Sequence, residues 1–150
     1  MNNFSFWQKW LLIVSIIISL FGIYIALFNQ TFLFNLLLID KVNTTFFSAS
    51  GISSDVIIFQ KWIYGVLGAT VFGWGIFLSF IAHYPFKRKE KWAWNCFLTG
   101  IICWFVMDTS ISVYFGVIVN AIFNTVLFLG IIIPLVFSRK NFVNKSVKQF

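Results

Sequence analysis

The feature that most constrains the fold is a stretch of 46 residues, from Trp92 to Phe137, in which Asp108 is the only charged side chain. As a single helix this stretch would be about 69 Å long, because an α-helix rises about 1.5 Å per residue. The hydrocarbon core of a bilayer is only about 30 Å thick, so one crossing cannot contain it. The stretch therefore predicts two antiparallel membrane spans, and Gly116 is the residue best suited to the tight turn between them.

Two further apolar segments precede this stretch. The run from Trp10 to Phe28 is longer than the apolar region of a signal peptide and is followed by no A-x-A site, so we expect an uncleaved first span.

The chain is 60% hydrophobic and 10% charged, whereas soluble domains are about 25% charged. The sequence predicts a single-domain, all-α integral membrane protein, a compact bundle of four transmembrane helices at about 7–28, 56–83, 92–113 and 117–137.

The positions of the basic residues predict the orientation, since Lys and Arg concentrate on the cytoplasmic side of membrane proteins. Two fall on the side of the first connection: Lys41 and Lys61. Nine fall on the side of the termini: Lys9, Lys87, Arg88, Lys89, Lys91, Arg139, Lys140, Lys145 and Lys148. Both termini are therefore expected in the cytoplasm, with the protein in a cell membrane. Because these charges flank apolar spans, the net charge of +7 does not indicate nucleic-acid binding.

The connection between the first two spans, about residues 29–55, is the largest segment outside the predicted spans. Its first part, Thr31–Ile39, is apolar but too short to cross a bilayer. It is either a short helix in the outer interface or a continuation of the first span. Its second part, Asp40–Asp55, is rich in Ser, Thr, Asn and Gly and is predicted to be a loop.

Small residues indicate where helices can approach closely in a membrane. The first span carries a face of Ser15, Ser19, Gly22 and Ala26. The second carries Gly65, Ala69 and Gly73 at steps of four, with Gly68 and Gly75 near a second face. We predict that the first two spans pack along these residues. The alternative is that the same faces serve dimerisation.

Polar residues flank the predicted reversal symmetrically. Asp108 and Ser112 are four residues apart and share a helical face, as do Asn120 and Asn124. When the hairpin folds about Gly116, Asp108 comes level with Asn124 and Ser112 comes level with Asn120. The sequence therefore predicts two polar pairs in the outer leaflet.

Three functions remain open for this cluster. Its hydrogen bonds could simply hold the hairpin together. It could form a pocket under an aromatic lid of Trp104, Tyr114 and Phe115, and bind a lipid or other amphipathic ligand. It could also belong to a proton-coupled transporter, in which Asp108 alternates between charged and neutral forms. Lys61, at the mouth of the second span, is the candidate counter-ion.

Other classes of function lack a signal in the sequence. No nucleophile–base pair, phosphate-binding glycine loop or metal-ligand set occurs, so we expect no enzymatic activity, cofactor or metal. Four short spans with one embedded acid resemble the small multidrug transporters in outline. That family carries its acid in the first span and lacks a long first loop, so its function is not transferred to Asp108. The expected partners are membrane lipid, an amphipathic small molecule, a second copy of the chain or another membrane protein.

Overall fold

A computed structural model describes residues 3–47 and 51–143, which form helices joined by turns, with no strand among them. The long helices are α1 (Asn3–Phe28), α4 (Ser54–Ile81), α5 (Lys91–Tyr114) and α6 (Ile118–Ser138). The short helices are α2 (Phe32–Phe34), α3 (Asp40–Phe46) and α7 (Lys140–Val143). Two π-helical segments, Asn35–Ile39 and Ala82–Phe86, extend α2 and α4.

The expectation of an all-helical chain with four long apolar helices is confirmed for the described residues. These helices are long and apolar enough to cross a membrane, and their ends differ from the predicted bounds by at most four residues. Two residues counted in the charge argument, Lys145 and Lys148, lie outside the described residues. So do residues 48–50 of the predicted loop.

Helix α1 is the centre of the arrangement. It packs against α4 on one side and against α6 on another, while α5 packs against α6. In the described part of the chain, α4 and α5 do not pack along their lengths. They are linked by a ring contact between Trp74 and Trp104, with centroids 5.3 Å apart, and by Phe86 of the second π segment against Phe97. The side of the bundle between α4 and α5 is therefore its least closely packed side. We call the end that carries the α1–α4 connection the loop end, and the other the terminal end.

Backbones of α1 and α4 touch where the two helices cross. A Cβ atom added at Gly22 would overlap the backbone of Phe72, and one added at Gly68 would overlap the backbone of Ala26. Lipid gives helices no hydrophobic reason to associate, so close van der Waals contact of this kind is a main source of their attraction. We call this contact the glycine seam (Ser19, Gly22 and Ala26 on α1; Gly68, Phe72 and Gly75 on α4).

The seam confirms the predicted face of α1, and of the two faces predicted for α4 it contains the one with Gly68 and Gly75. A Cβ at Gly75 would come within 2.5 Å of the Ser19 nitrogen, whereas one at Gly73 would meet nothing within 4 Å. Helices that coil around each other repeat their contact about every 3.5 residues, so Gly68 and Gly75, seven apart, stay in the seam. Gly65 also stays close to α1, since an added Cβ would lie 3.8 Å from the Ala26 carbonyl oxygen, whereas Gly73 turns away and Ala69 is exposed.

At the terminal end, Pro134 explains a contact between α1 and α6. Proline has no backbone N–H, so the carbonyl four residues earlier loses its helical partner. That carbonyl belongs to Gly130, and the indole nitrogen of Trp10 donates to it at 3.0 Å. The buried side chain of Gln8 similarly donates to the Ala82 carbonyl at 3.0 Å, which holds α1 to the second π segment.

The connection between α1 and α4 differs from the predicted loop. Helix α1 ends at Phe28, a turn follows, and helical structure resumes from Phe32 to Phe46, so Thr31–Ile39 does not continue the first span. The prediction of a loop from Asp40 is wrong for α3. A hydrogen bond of 2.6 Å from the Gln60 amide to Asn43 Oδ1 fixes α3 to α4. We call residues 32–46 the connecting helix.

Candidate functional site

The turn between α5 and α6 ends the first helix with a complete Schellman motif. Gly116 has φ +75°, a conformation that side chains with a Cβ rarely adopt. The Val117 N–H donates to the Ser112 carbonyl at 2.8 Å, and the Gly116 N–H donates to the Val113 carbonyl at 3.1 Å. These two bonds are the pair that defines the motif. The predicted reversal at Gly116 is therefore present, and it sets the register of the two helices.

This register brings the predicted polar residues together around one oxygen of Asp108. Asn120 Nδ2 donates to Asp108 Oδ1 at 2.7 Å, and Asn124 Nδ2 donates to the same atom at 2.9 Å. Ser112 Oγ lies 2.8 Å from Asn120 Nδ2, which donates to it. Both predicted pairs are thus in contact, since Asp108 meets Asn124 and Ser112 meets Asn120.

Thr109 is a further member that sequence reasoning missed. Its hydroxyl oxygen accepts the second hydrogen of the Asn124 amide at 3.3 Å. Its place next to Asp108 in the sequence was the available signal, because adjacent helical residues point about 100° apart and both can meet a partner helix. We call Asp108, Thr109, Ser112, Asn120 and Asn124 the polar cluster.

The hydrogen bonds leave the two oxygens of Asp108 in different environments. Every donor that reaches this carboxylate binds Oδ1. Among the described residues no donor reaches Oδ2, and no buried side-chain oxygen or nitrogen lacks a partner. Oδ2 is therefore an accessible atom. Helix α5 carries no other charged residue between Trp92 and Tyr114. The helix ends at Tyr114, about 9 Å beyond Asp108 along its axis.

The aromatic residues predicted to cover the cluster have different positions. Trp104, one turn from Asp108, contacts Trp74 of α4, which sequence reasoning did not find. Tyr114 is 82% exposed, and Phe115 lies against Phe46 of the connecting helix with centroids 6.0 Å apart. Of the three aromatic residues predicted to form the lid, only Trp104 therefore lies between α4 and α5.

Lys61 is not brought to Asp108 as a counter-ion. Its side chain is exposed, and its backbone carbonyl accepts a bond of 3.3 Å from the buried amide of Asn29. Among the described residues no ion pair includes Asp108. An ion pair between Arg88 and Glu90 lies at the terminal end instead. Within the described part of the chain, the carboxylate is thus held by neutral amides and a hydroxyl, and no basic side chain pairs with it.

A separate crevice of about 360 Å³ lies at the loop end, between the connecting helix and the α5–α6 turn. It is lined by Lys41, Thr44, Thr45, Gly116, Val117, Ile118, Val119 and Ile122. Its lining does not include Asp108 or either asparagine of the polar cluster. The crevice and the carboxylate are therefore two distinct features of the same hairpin.

The described residues contain no group of three or more His, Cys, Asp or Glu side chains placed to hold a metal ion. The chain matches no family model, and it shows no significant similarity to a curated protein or to a solved structure. The geometry of the polar cluster is therefore the main evidence on the function of the protein.

Proposed function

We propose that the protein is a four-span integral protein of a cell membrane, with both termini cytoplasmic and the connecting helix on the opposite side. The proposal is supported by four helices of sufficient length and apolarity. It is also supported by the basic residues that the sequence places on the side of the termini, which outnumber those on the side of the first connection nine to two.

Cysteine labelling tests this orientation. Thr44→Cys and Lys140→Cys would each be made in a background in which Cys96 and Cys103 are serine. An impermeant maleimide added to intact cells is expected to label position 44 and to label position 140 only after permeabilisation. The reverse pattern would contradict the proposed orientation, and labelling of both sites without permeabilisation would contradict the three crossings proposed between them.

We further propose that the protein is not an enzyme and that it binds an amphipathic ligand, a membrane lipid or a molecule of similar shape, at the polar cluster. One observation carries this proposal: Asp108 has one oxygen held by two amides and one accessible oxygen without a donor. A polar atom in hydrocarbon is costly when it has no partner. A ligand group that hydrogen-bonds Oδ2 would remove that cost.

The packing of the helices offers such a ligand a route from the membrane. Helices α4 and α5 do not pack along their lengths, although Trp74 and Trp104 are in contact. Both helices carry exposed apolar side chains, Leu67 and Met107 among them. An apolar tail can therefore lie along the bundle while the polar head reaches Asp108.

Native mass spectrometry of the purified protein tests this function. The wild-type protein is expected to retain a small amphipathic molecule that Asp108→Asn loses, while circular dichroism and thermal unfolding of the variant stay close to those of the wild type. Ser110→Ala is the matched control, because Ser110 is exposed on the same helix and outside the cluster. It should retain the molecule.

Each other outcome of this experiment favours a competing function. Equal retention by wild type and Asp108→Asn would show that the cluster only joins α5 to α6, and the protein would then be a structural partner of other membrane proteins. A proton-dependent flux in vesicles that disappears in Asp108→Asn, without any retained molecule, would favour the transporter.

A further inference from the structure

We infer that the polar head recognised at the polar cluster is a protonated amine that carries N–H donors and is attached to an apolar tail. This inference rests on the proposed ligand binding and names its chemical class. Three properties of the cluster support it: the hydrogen-bonding capacity that remains free, the absence of a protein cation at Asp108, and the tryptophan pair nearby.

The donors of the cluster are almost all used within it. The Asn120 amide gives its hydrogens to Asp108 Oδ1 and Ser112 Oγ, and the Asn124 amide gives its own to Asp108 Oδ1 and Thr109 Oγ1. The Ser112 hydroxyl donates to the Asp108 carbonyl at 2.7 Å. The Thr109 hydroxyl is the remaining donor of the five residues.

The polar side-chain atoms of the cluster that remain free are therefore almost all hydrogen-bond acceptors. Three oxygens of the cluster receive no hydrogen bond from a described residue: Asp108 Oδ2, Asn120 Oδ1 and Asn124 Oδ1. An amide oxygen lies about 2.3 Å from its own nitrogen, so all three are within about 5 Å of Asp108 Oδ1. An ammonium group has N–H donors and no acceptor, which matches the accepting character of this set.

The charge of Asp108 also favours a protonated amine as the ligand. Asp108 is the only acid within the 46-residue apolar stretch, and no described basic side chain forms an ion pair with it. The two basic residues near the loop end, Lys41 and Lys61, are both exposed. A positive partner for this carboxylate must therefore come from outside the described chain, and a cationic head supplies it.

The tryptophan pair gives the cation a second favourable surface. Trp104 lies one turn from Asp108 on α5, and its ring is 5.3 Å from that of Trp74, with the planes 41° apart. Cations are attracted to indole faces, and more strongly when water is excluded. A bare metal ion fits less well, because Ca²⁺ takes six to eight oxygen ligands and Mg²⁺ needs six.

Titration of the wild-type protein in detergent with a matched ligand series tests the inference. The probes are dodecylamine, which is cationic with N–H donors, dodecyltrimethylammonium, which is cationic without them, and 1-dodecanol, which is uncharged. Dodecylamine is expected to bind about tenfold or more tightly than either of the others, as a charge-assisted hydrogen bond requires. The same preference should be absent in Asp108→Asn and present in Ser110→Ala.

Equal binding of all three probes to the wild type would overturn the amine inference while leaving amphiphile binding intact. Binding of none of them, with no molecule retained in mass spectrometry, would overturn both. Stabilisation of the wild type by Na⁺, with no binding of dodecylamine, would identify a metal-ion site instead. These comparisons use the wild type, so they do not depend on the folding of a variant.

Experiments in nanodiscs can distinguish two sources of the amine. If phosphatidylethanolamine, but not phosphatidylcholine, displaces dodecylamine, then the amine is a lipid headgroup. If neither lipid displaces it, then the ligand is a free lipophilic amine. Both results support the inference, whereas displacement by phosphatidylcholine alone would contradict the requirement for N–H donors.

Discussion

Two pairs of helices in this protein are joined by opposite means. The glycine seam between α1 and α4 brings two backbones together, with no space for a Cβ at Gly22 or Gly68. The α5–α6 hairpin is joined through side chains, by hydrogen bonds that converge on Asp108 Oδ1. The backbone atoms of the seam are in contact with each other. The polar cluster contains atoms that still lack a partner.

The difference separates a structural contact from a candidate binding site. Backbone contact between helices leaves no group free to interact with a ligand, and any added atom disrupts it. A polar cluster of this kind contributes modestly to helix association, about 0.6 kcal/mol per interhelical hydrogen bond on average. We therefore expect substitutions in the seam to change stability most, and substitutions in the cluster to change ligand binding most.

The largest loss of stability is expected from Gly68→Ala. Its new Cβ would overlap the Ala26 backbone, and α1 and α4 would have to separate. Overpacking of this kind costs about 1–3 kcal/mol, and occasionally more. Unfolding of the purified protein in a denaturing-detergent titration measures it. Gly73→Ala is the control, since its Cβ meets nothing within 4 Å, and it should leave stability unchanged or slightly raised. Equal losses in both variants would show that the seam is not where the helices cross.

An intermediate loss is expected from Gly116→Ala, which forces an alanine into the left-handed conformation at φ +75°. That conformation costs an L-residue about 1–2 kcal/mol. The change should lower the thermal midpoint without a steric clash, because the nearest atom to the new Cβ is Thr45 Cγ2 at 3.7 Å. Gly130→Ala, within α6, is the comparison and should not lower the midpoint. A neutral result at position 116 would mean that the turn is not held in the observed motif.

A smaller loss is expected from Asn124→Ala, which removes one of the two amides on Asp108 Oδ1. The expected loss is about 0.6–1.7 kcal/mol, from the average to the largest value measured for interhelical hydrogen bonds. The same variant should weaken dodecylamine binding, because it also removes one of the three free oxygens. If stability falls by as much as in Gly68→Ala, then the cluster is a principal structural contact and the contrast between the two regions fails.

The smallest effect is expected from Gln60→Leu, which removes the hydrogen bond of 2.6 Å to Asn43. Loss of one neutral hydrogen bond costs about 0.5–1.5 kcal/mol. The effect should be local, with faster proteolysis of the connecting helix and little change in overall unfolding. Global unfolding at lower denaturant, with no change in proteolysis, would show that this helix is an integral part of the bundle.

Much of the fold could be predicted because a membrane span has a limited length. The apolar stretch from Trp92 to Phe137 is too long for one span, and Gly116 was the residue that could reverse it. The predicted polar pairs then followed from counting residues on either side of the turn. These inferences depend on local sequence and helix geometry alone, and they agree with the described structure.

The errors concern properties that depend on how helices lie against each other. Whether Gly68 or Gly73 faces α1 is decided by the coiling of the two helices, which a four-residue spacing does not reveal. The α3 helix is stabilised by tertiary contacts such as Gln60 with Asn43, although its own composition is typical of a loop. Trp74 and Trp104 each lie 15 residues from Lys89, in the turn between α4 and α5, so counting could predict their equal depth but not that their rings face each other.

The central claim is that the free oxygen of Asp108 is a ligand-binding atom, and an experimental density map of the wild-type protein in lipid nanodiscs tests it most directly. We expect non-protein density within about 3 Å of Oδ2, the distance of a hydrogen bond, continuing as a tail between α4 and α5. A map in which a protein group donates to Oδ2, or in which only disordered acyl chains lie beside it, would contradict the claim.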